Sequence, residues 1–340
     1  MRPVRRDSRG IVLVAVLFLI LLMVSAVATF LRRASVDGLV ARNRDLAARS
    51  EALARGGVQL AIALLLQDRL DEEARELRIE ARSEPWSRAG DVDLITPDGG
   101  TLRLRIEDAG ARLNLNALFE GGAARTDSAE IFLTALLTKV IGELGVPSEQ
   151  RNYDPQLLAW NLIDYVDEDD VRIRGGPEDD YYQQQDPSYR AANRPLLSLE
   201  ELGLVEGFDA ALVAALEPYA SVHPYAEGDG INPNTAPSYV LATLYYGTAG
   251  DFRLADEDLV RQVLDIRSEG GILCADEADH PACTPIRNTV PGEIFPPPTY
   301  ESDVFRVAAE ARYGDVRRTV EAVIDRSDAS APQLLAWRVR

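Results

Sequence analysis

Hydrophobic positions cluster at the start of the chain and then become periodic. Ile11 to Leu31 holds no charged residue. As a helix that run is roughly 30 Å long, the thickness of a bilayer's hydrocarbon core. It exceeds the apolar core of a secretory signal, roughly 7–15 residues, and Thr29-Phe30-Leu31-Arg32 does not read as a cleavage site. From 34 to 80 the pattern turns amphipathic. Leu39, Leu46, Leu53, Leu60 and Leu64 recur at helical spacing with no proline between them, which predicts that the membrane helix continues as a stalk. The steps 39, 46, 53, 60 also suit a coiled-coil stem. Gly56-Gly57 is expected to loosen it locally.

Beyond Pro85-Trp86 the period changes to two. Leu102, Leu104 and Ile106 alternate after a PDGG turn, predicting a hairpin that packs on the helix. Residues 128–225 read as helical. SAEIFLTALLTKVIGEL is one helix and DPQLLAWNLIDYVDEDD a second, with Asp154 as cap and Pro155 in its first turn. SLEELGLVEGFDAALVAALEPY holds two short helices, and Ser198 with Glu201 fits a capping box. Residues 231–272 predict a second helical unit, starting near Thr235 or Pro237 and continuing through LADEDLVRQVLDIRSEGGI. ESDVFRVAAEARYGDVRRTVEAVID reads as two strands joined at YGD, with Val304, Arg306 and Ala308 set against Val316, Arg318 and Val320.

Charge and composition narrow the function. The 340 residues are 46% hydrophobic, enough for a core, and 55 acidic against 36 basic residues give a net charge of -19. An acidic surface disfavours nucleic acid and favours cations or basic partners. Arg2, Arg5, Arg6 and Arg9, opposed by Asp7 and by Arg32 and Arg33 beyond the run, place the N-terminus in the cytoplasm and the main body outside it. Two histidines, His223 and His280, nearly exclude a histidine-based metalloenzyme. No nucleophile elbow, zinc-protease helix, phosphate loop or dinucleotide fingerprint occurs, so no enzymatic activity is expected. Cys274 and Cys283 lack companions for a zinc site beyond His280. In an oxidising compartment they suit a loop-closing disulfide.

The densest chemistry is DYVDEDDVRIRGGPEDDYY. Acids so crowded repel one another unless cations or hydrogen bonds compensate. Counting from Asp167, the fifth position is Val171 and the glycine is misplaced, so this is no EF-hand. A glycosidase pair is disfavoured because a loop offers little apolar surrounding to raise one carboxyl's pKa. The residues alone leave a solvated acidic loop as the ordinary alternative to a cation site.

Several motifs, taken in order, carry a resemblance. Arg9-Gly10 before a long apolar helix resembles the prepilin peptidase signal of type IV pilins and type II secretion pseudopilins. Most members carry a glutamate five residues into the mature chain. Ala15 stands there, as is typical of the large minor pseudopilin family, general secretion pathway protein K. Asp108, Arg112, Asn114 and Asn116 resemble the box that follows the first strand in that family. The resemblance implies an α+β fold: a pilin-like long helix and antiparallel sheet, interrupted by all-helical modules like sterile alpha motifs. It divides the chain into a leader (1–10), a transmembrane helix (11–31), a periplasmic stalk (32–84), sheet regions (85–118 and 300–325), a first inserted helical domain (119–226), and a second with a cysteine- and proline-rich loop (227–299).

The same resemblance implies cleavage between Gly10 and Ile11, methylation of the new N-terminus, and calcium held by Asp167, Asp169, Glu178, Asp179 and Asp180. It implies anchorage in a Gram-negative inner membrane, I-, J- and H-type minor pseudopilin partners, contact with secreted cargo, and a place at the pseudopilus tip. The competing class is a membrane-anchored helix-hairpin-helix protein binding nucleic acid through 196–210 and 231–272. The second stretch sets Arg253, Arg261 and Arg267 against Asp251, Asp256, Glu257, Asp258, Asp265 and Glu269, a balance unsuited to phosphate.

Overall fold

The structure, a computed structural model, describes residues 9–75, 78–120, 123–124, 127–145, 153–223, 230–248, 250–275, 283–328 and 330–340. Leader residues 1–8 and most of the segment between the two cysteines lie outside the described residues.

One helix, α1 (Arg9–Arg75), runs from the apolar segment through the stalk. At 1.5 Å per residue it is about 100 Å long. Its first part is long and apolar enough to cross a membrane and packs on nothing: Val12 through Leu31 leave their large side chains roughly half or more exposed. Its second part carries a narrow buried stripe of Ala54, Val58, Ala61 and Leu65. These steps of three and four follow the α-helical period. Leu39 and Leu60 point outward instead, so the seven-residue steps build no coiled-coil seam. The partner is a sheet.

That sheet has five antiparallel strands: β1 (Leu94–Ile95), β2 (Thr101–Asp108), β3 (Val304–Tyr313), β4 (Val316–Asp325) and β5 (Gln333–Val339), side by side in that order. Leu102, Leu104, Ile106, Phe305, Val307, Ala309, Val320, Ala322 and Ile324 face α1. The alternation expected from sequence holds through β2 and β4, but in β3 it is shifted by one: Phe305, Val307 and Ala309 face α1, while Arg306 pairs with Val323 and Ala308 with Glu321 on the other face. The fifth strand extends the sheet past residue 325, beyond the expected limit.

The helix is not loosened at Gly56-Gly57. Gly57 faces the sheet, where a Cβ would lie 2.8 Å from Leu102 Cδ1 and 2.9 Å from the Ala309 Cβ. The glycine sets how closely helix and sheet approach. Gly56 meets nothing within 4 Å. Gly57→Leu is expected to lower stability by about 1–3 kcal/mol through overpacking. Gly56→Ala should raise it by up to about 1 kcal/mol, the helix propensity gain. Urea unfolding followed by the fluorescence of Trp86, buried against Phe305, checks both.

Between β2 and β3 the chain leaves the sheet for nearly two hundred residues (109–303), yet those strands are neighbours, with Phe305 directly opposite Asp108. The insertion is rooted at Asp108. Its buried carboxylate accepts from the Gly110 amide (2.7 Å), Thr235 Oγ1 (2.6 Å) and Asn232 Nδ2 (3.0 Å). Asn116, also buried, donates to the carbonyls of Leu196 (3.0 Å) and Val222 (2.8 Å) and accepts from the Leu196 amide (2.9 Å). The Asp108–Asn116 box thus ties three distant stretches together, because buried backbone groups need partners.

Within the insertion, α2 (Asp127–Glu143) packs on α3 (Pro155–Val166), and Asp154 caps α3 through the amides of Gln156 and Leu157. Three expectations change here. Ser198 makes no side-chain cap bond. Leu199–Leu204 is a 3-10 turn, and Glu201 is drawn to Arg194 (2.7 Å) and the Leu197 amide (2.8 Å). The segment 227–299 is not all-helical. Besides the helices Ser238–Leu241 and Glu257–Ser268 it contains an antiparallel sheet of Tyr245–Thr248, Asp251–Leu254 and Glu293–Phe295. Aromatic residues in Tyr245–Thr248 and the positive φ of Gly250 (88°) favour that hairpin over a helix. Finally, the two inserted segments share one hydrophobic core, from Leu113 to Val290.

Candidate functional site

The acidic loop follows the end of α3. Gly175 (φ 85°) and Gly176 (φ 101°) turn the chain back on itself. The turn is closed by Arg172 N to Gly176 O (3.0 Å), Gly175 N to Arg172 O (2.7 Å) and a bridge between Val171 and Pro177. Only glycine takes such angles cheaply. The reversal returns Glu178 to Asp167 and Asp169, and one carboxylate oxygen from each lies within 4.8 Å of the others.

Three of these oxygens, Asp167 Oδ1 and both of Glu178, are buried without a hydrogen-bond partner. Burial, then the neighbouring acids, pushes Asp167 up to about 7 and Glu178 up to about 8. Carboxylates in such a place must take up protons or a cation. The donors are all oxygen, which suits a hard cation such as calcium, with its six to eight irregularly placed ligands.

Asp179 and Asp180 do not join this group. They open the short helix α4 (Asp179–Tyr182). Asp179 accepts from the Ala191 amide (3.1 Å), while Asp180 is exposed. A one-turn helix directs successive side chains some 100° apart, so adjacent acids cannot all face one point.

Two residues at the site lie outside the expected ligand set. Asp164 is buried and accepts from the Ile173 amide (2.9 Å), pinning the loop to α3. Asn193, in the left-handed region (φ 44°), donates to the Asp169 carbonyl (2.8 Å) and leaves its Oδ1 buried and unpaired. Asp164 lies on the buried face of α3, a signal that periodicity could have supplied; Asn193 gave none. Tyr165, Tyr182 and Tyr189, with ring centroids 5.4–5.5 Å apart, hold α3, α4 and the following loop together behind the site. A disulfide joins Cys274 and Cys283, Cα atoms 6.0 Å apart, well away in sequence.

A second acidic group lies where α1 meets the sheet. Arg326, fully buried just after β4, donates to Asp68 Oδ2 (2.8 Å), the Leu65 carbonyl (2.8 Å), Glu72 Oε2 (3.2 Å) and Glu80 Oε1. Its guanidinium also lies over the Phe305 ring, 4.6 Å from the centroid. Even with Arg69 3.8 Å from Glu72, two arginines cannot neutralise the four clustered acids, of which Glu84 is the fourth. Burial raises Glu80 to about 11 against the opposing pull of Arg326, and burial raises Glu72 as well. Glu80 therefore holds a proton at neutral pH. The signal was present in the sequence, because Ala61, Leu65, Asp68 and Glu72 continue one helical face from apolar to acidic.

The arginines of the nucleic-acid alternative are engaged locally. Arg267 donates to the Ala236 carbonyl (2.7 Å), Arg261 to Asp258 (2.8 Å) and Arg253 to the Tyr246 hydroxyl (3.2 Å).

A long helix, free at its apolar end and laid on an antiparallel sheet at the other, with a large body inserted between neighbouring strands, defines a pilin-like subunit. A family model described as type II secretion system (T2SS), protein K matches residues 111–225. The type II secretion system protein K of Pseudomonas aeruginosa is 32% identical over 289 residues, covering 80% of this chain and 76% of that protein. That of Klebsiella pneumoniae is 35% identical over 62% of each chain, and that of Aeromonas hydrophila 26% over 95% of each. A chain in the crystal structure of the GspK-GspI-GspJ complex from the enterotoxigenic Escherichia coli type 2 secretion system superposes with a TM-score of 0.59. It is 21% identical, and the match covers 88% of this chain and 99% of that one. The chain belongs to the type II secretion system protein K family.

Proposed function

We propose that this protein is a minor pseudopilin that caps or initiates the tip of the type II secretion pseudopilus, for export of folded proteins across the outer membrane. The observation that carries this is the inserted body. It is rooted at the ends of two neighbouring inner strands of the pilin-like sheet, too bulky to repeat along a thin fibre but suited to a single copy at its end. Ala15 agrees, since a leading subunit has no neighbour ahead whose N-terminal amine needs a carboxylate. The related GspK chain is found with GspI and GspJ, and I-, J- and H-type subunits are the partners proposed here. The apolar part of α1 anchors the chain in the inner membrane, its N-terminus cytoplasmic and its main body periplasmic, where it meets secreted cargo.

Asp167, Asp169 and Glu178 would hold calcium, with Asn193 placed to help. The ion would supply the positive charge that their buried oxygens lack, locking the loop between α3 and α4. The chain's own residues fix this arrangement beforehand through the glycine turn and Asp164.

Co-purification of the full chain in detergent with its I- and J-type partners tests the assignment, with and without chelator. A stable complex is expected; its absence in both conditions would reject the tip role. Prepilin peptidase should also cut the chain between Gly10 and Ile11. N-terminal sequencing of membrane-extracted protein is expected to begin at a methylated Ile11, and an intact Met1 would contradict it.

A further inference from the structure

A cleft of about 750 Å³ separates the sheet from the inserted body. Its floor is the sheet face turned away from α1, including Arg306, Ala308 and Val323; its opposite wall includes Leu197 and Val213. Arg306 is the anomaly. It lies in the middle of the sheet, directly opposite Glu107 on β2 and Val323 on β4. Glu107 is taken by Arg112 (3.0 Å) and Arg105 (3.8 Å). Of the cleft's other acids, Glu321 is taken by Arg340 (3.2 Å) and Glu200 by Arg338 (2.8 Å), while Glu217 makes no ion pair with Arg306 and acts on it only at longer range. Among the described residues the Arg306 side chain has neither an ion pair nor a hydrogen bond. Burial, then Arg112, pushes its pKa down, so the carboxylates at longer range do not compensate it. Burial, then the same positive charge, pushes the nearby His223 down to about 4.

A half-buried guanidinium with five unused donors calls for a planar, bidentate acceptor, and a carboxylate fits that fork. A lone small anion would leave the apolar wall of Leu197 and Val213 uncovered. The volume lies in the range that encloses a sizeable ligand, and an extended peptide fills a slot floored by a sheet.

We propose that this cleft binds an extended, acidic peptide segment of a protein partner, one carboxylate gripped by Arg306 and neighbouring apolar side chains against Leu197 and Val213. The proposal needs only the cleft. Failure of the complex with I- and J-type subunits would leave it standing, and its own failure would leave the tip role standing.

The test uses the full chain in detergent micelles and a fluorescent, N-acetylated, C-amidated hexapeptide of alternating leucine and glutamate. The control peptide has glutamine for glutamate. The glutamate peptide should bind roughly tenfold tighter or better, the gain expected from a charge-assisted hydrogen bond. It should also shift the ring signals of His223, which are readily assigned in a chain with two histidines. Arg306→Gln, with unchanged circular dichroism, should erase the preference. Val213→Glu, which places a like charge on the opposite wall without touching Arg306, should weaken the glutamate peptide selectively. Equal affinity for the two peptides, no binding at millimolar concentration, preference for inorganic phosphate over the peptide, or a preference that survives both substitutions would each overturn the proposal.

Discussion

Replacing Arg326 with methionine will lower the stability of the sheet and the adjoining end of α1 by about 3–5 kcal/mol, the usual cost of removing one partner from a buried ionic group. The cost comes from what stays behind. Asp68 and Glu72, at most 5% exposed, would lose this counter-charge, and the neutral Glu80 its hydrogen-bond donor, leaving Arg69, 3.8 Å from Glu72, as the nearest cation. Methionine keeps much of the stem's contact with Phe305, so the loss reports charge more than packing. Urea unfolding read through Trp86 measures it; a loss below about 1 kcal/mol, the scale of surface pairs, would show that the cluster is not a clamp. The same cluster sets a pH dependence. Glu80 titrates near 11 in the folded state against an ordinary value of 4.5. Its contribution is therefore complete below about pH 4.5 and is lost progressively as pH rises through 11. Glu80→Gln, which mimics the protonated acid, should flatten the decline between neutral and alkaline pH, whereas the parent keeps it.

Calcium will raise the unfolding midpoint of the inserted body, and chelator will lower it. At a hundredfold excess over its dissociation constant a ligand that binds only the folded state adds about 2.7 kcal/mol. Trp160 on α3, whose indole nitrogen is buried, reports the region closest to the loop. Glu178→Gln should abolish the calcium effect, since both Glu178 oxygens lie unpaired in the group. Asp180→Asn should leave it unchanged, because that side chain points to solvent. A midpoint indifferent to chelator, or equal losses from the two substitutions, would remove calcium from the proposed function.

The contrast between Glu178 and Asp180 shows where sequence stops being informative. Periodicity located α1, α2, α3 and the strand pairs, because each must bury one face and the spacing of apolar residues reports that face. The return of β3 to β2 across the long insertion came from resemblance, since no local pattern encodes a partner two hundred residues away. In the acidic loop every carboxylate looks alike in one dimension. Which three converge depends on two glycines with positive φ and on where α4 begins. The strands within 227–299 were missed because a four-residue strand is too short for alternation to show, and the partner Glu293–Phe295 lies far along the chain. The last strand, Gln333–Val339, lies at the open edge, where three large apolar side chains remain exposed and the burial pattern is weak.

The unbroken course of α1 has a mechanical meaning. A helix without proline or a loosened pair of glycines has no hinge, so it carries load along its axis instead of dissipating it by bending. Its membrane end and its clamped end then move as one strut. A displacement of the apolar end would reach the sheet through the Arg326 cluster and the close seat at Gly57. The body borne on β2 and β3 advances by the same distance, as cargo on the end of a piston rod.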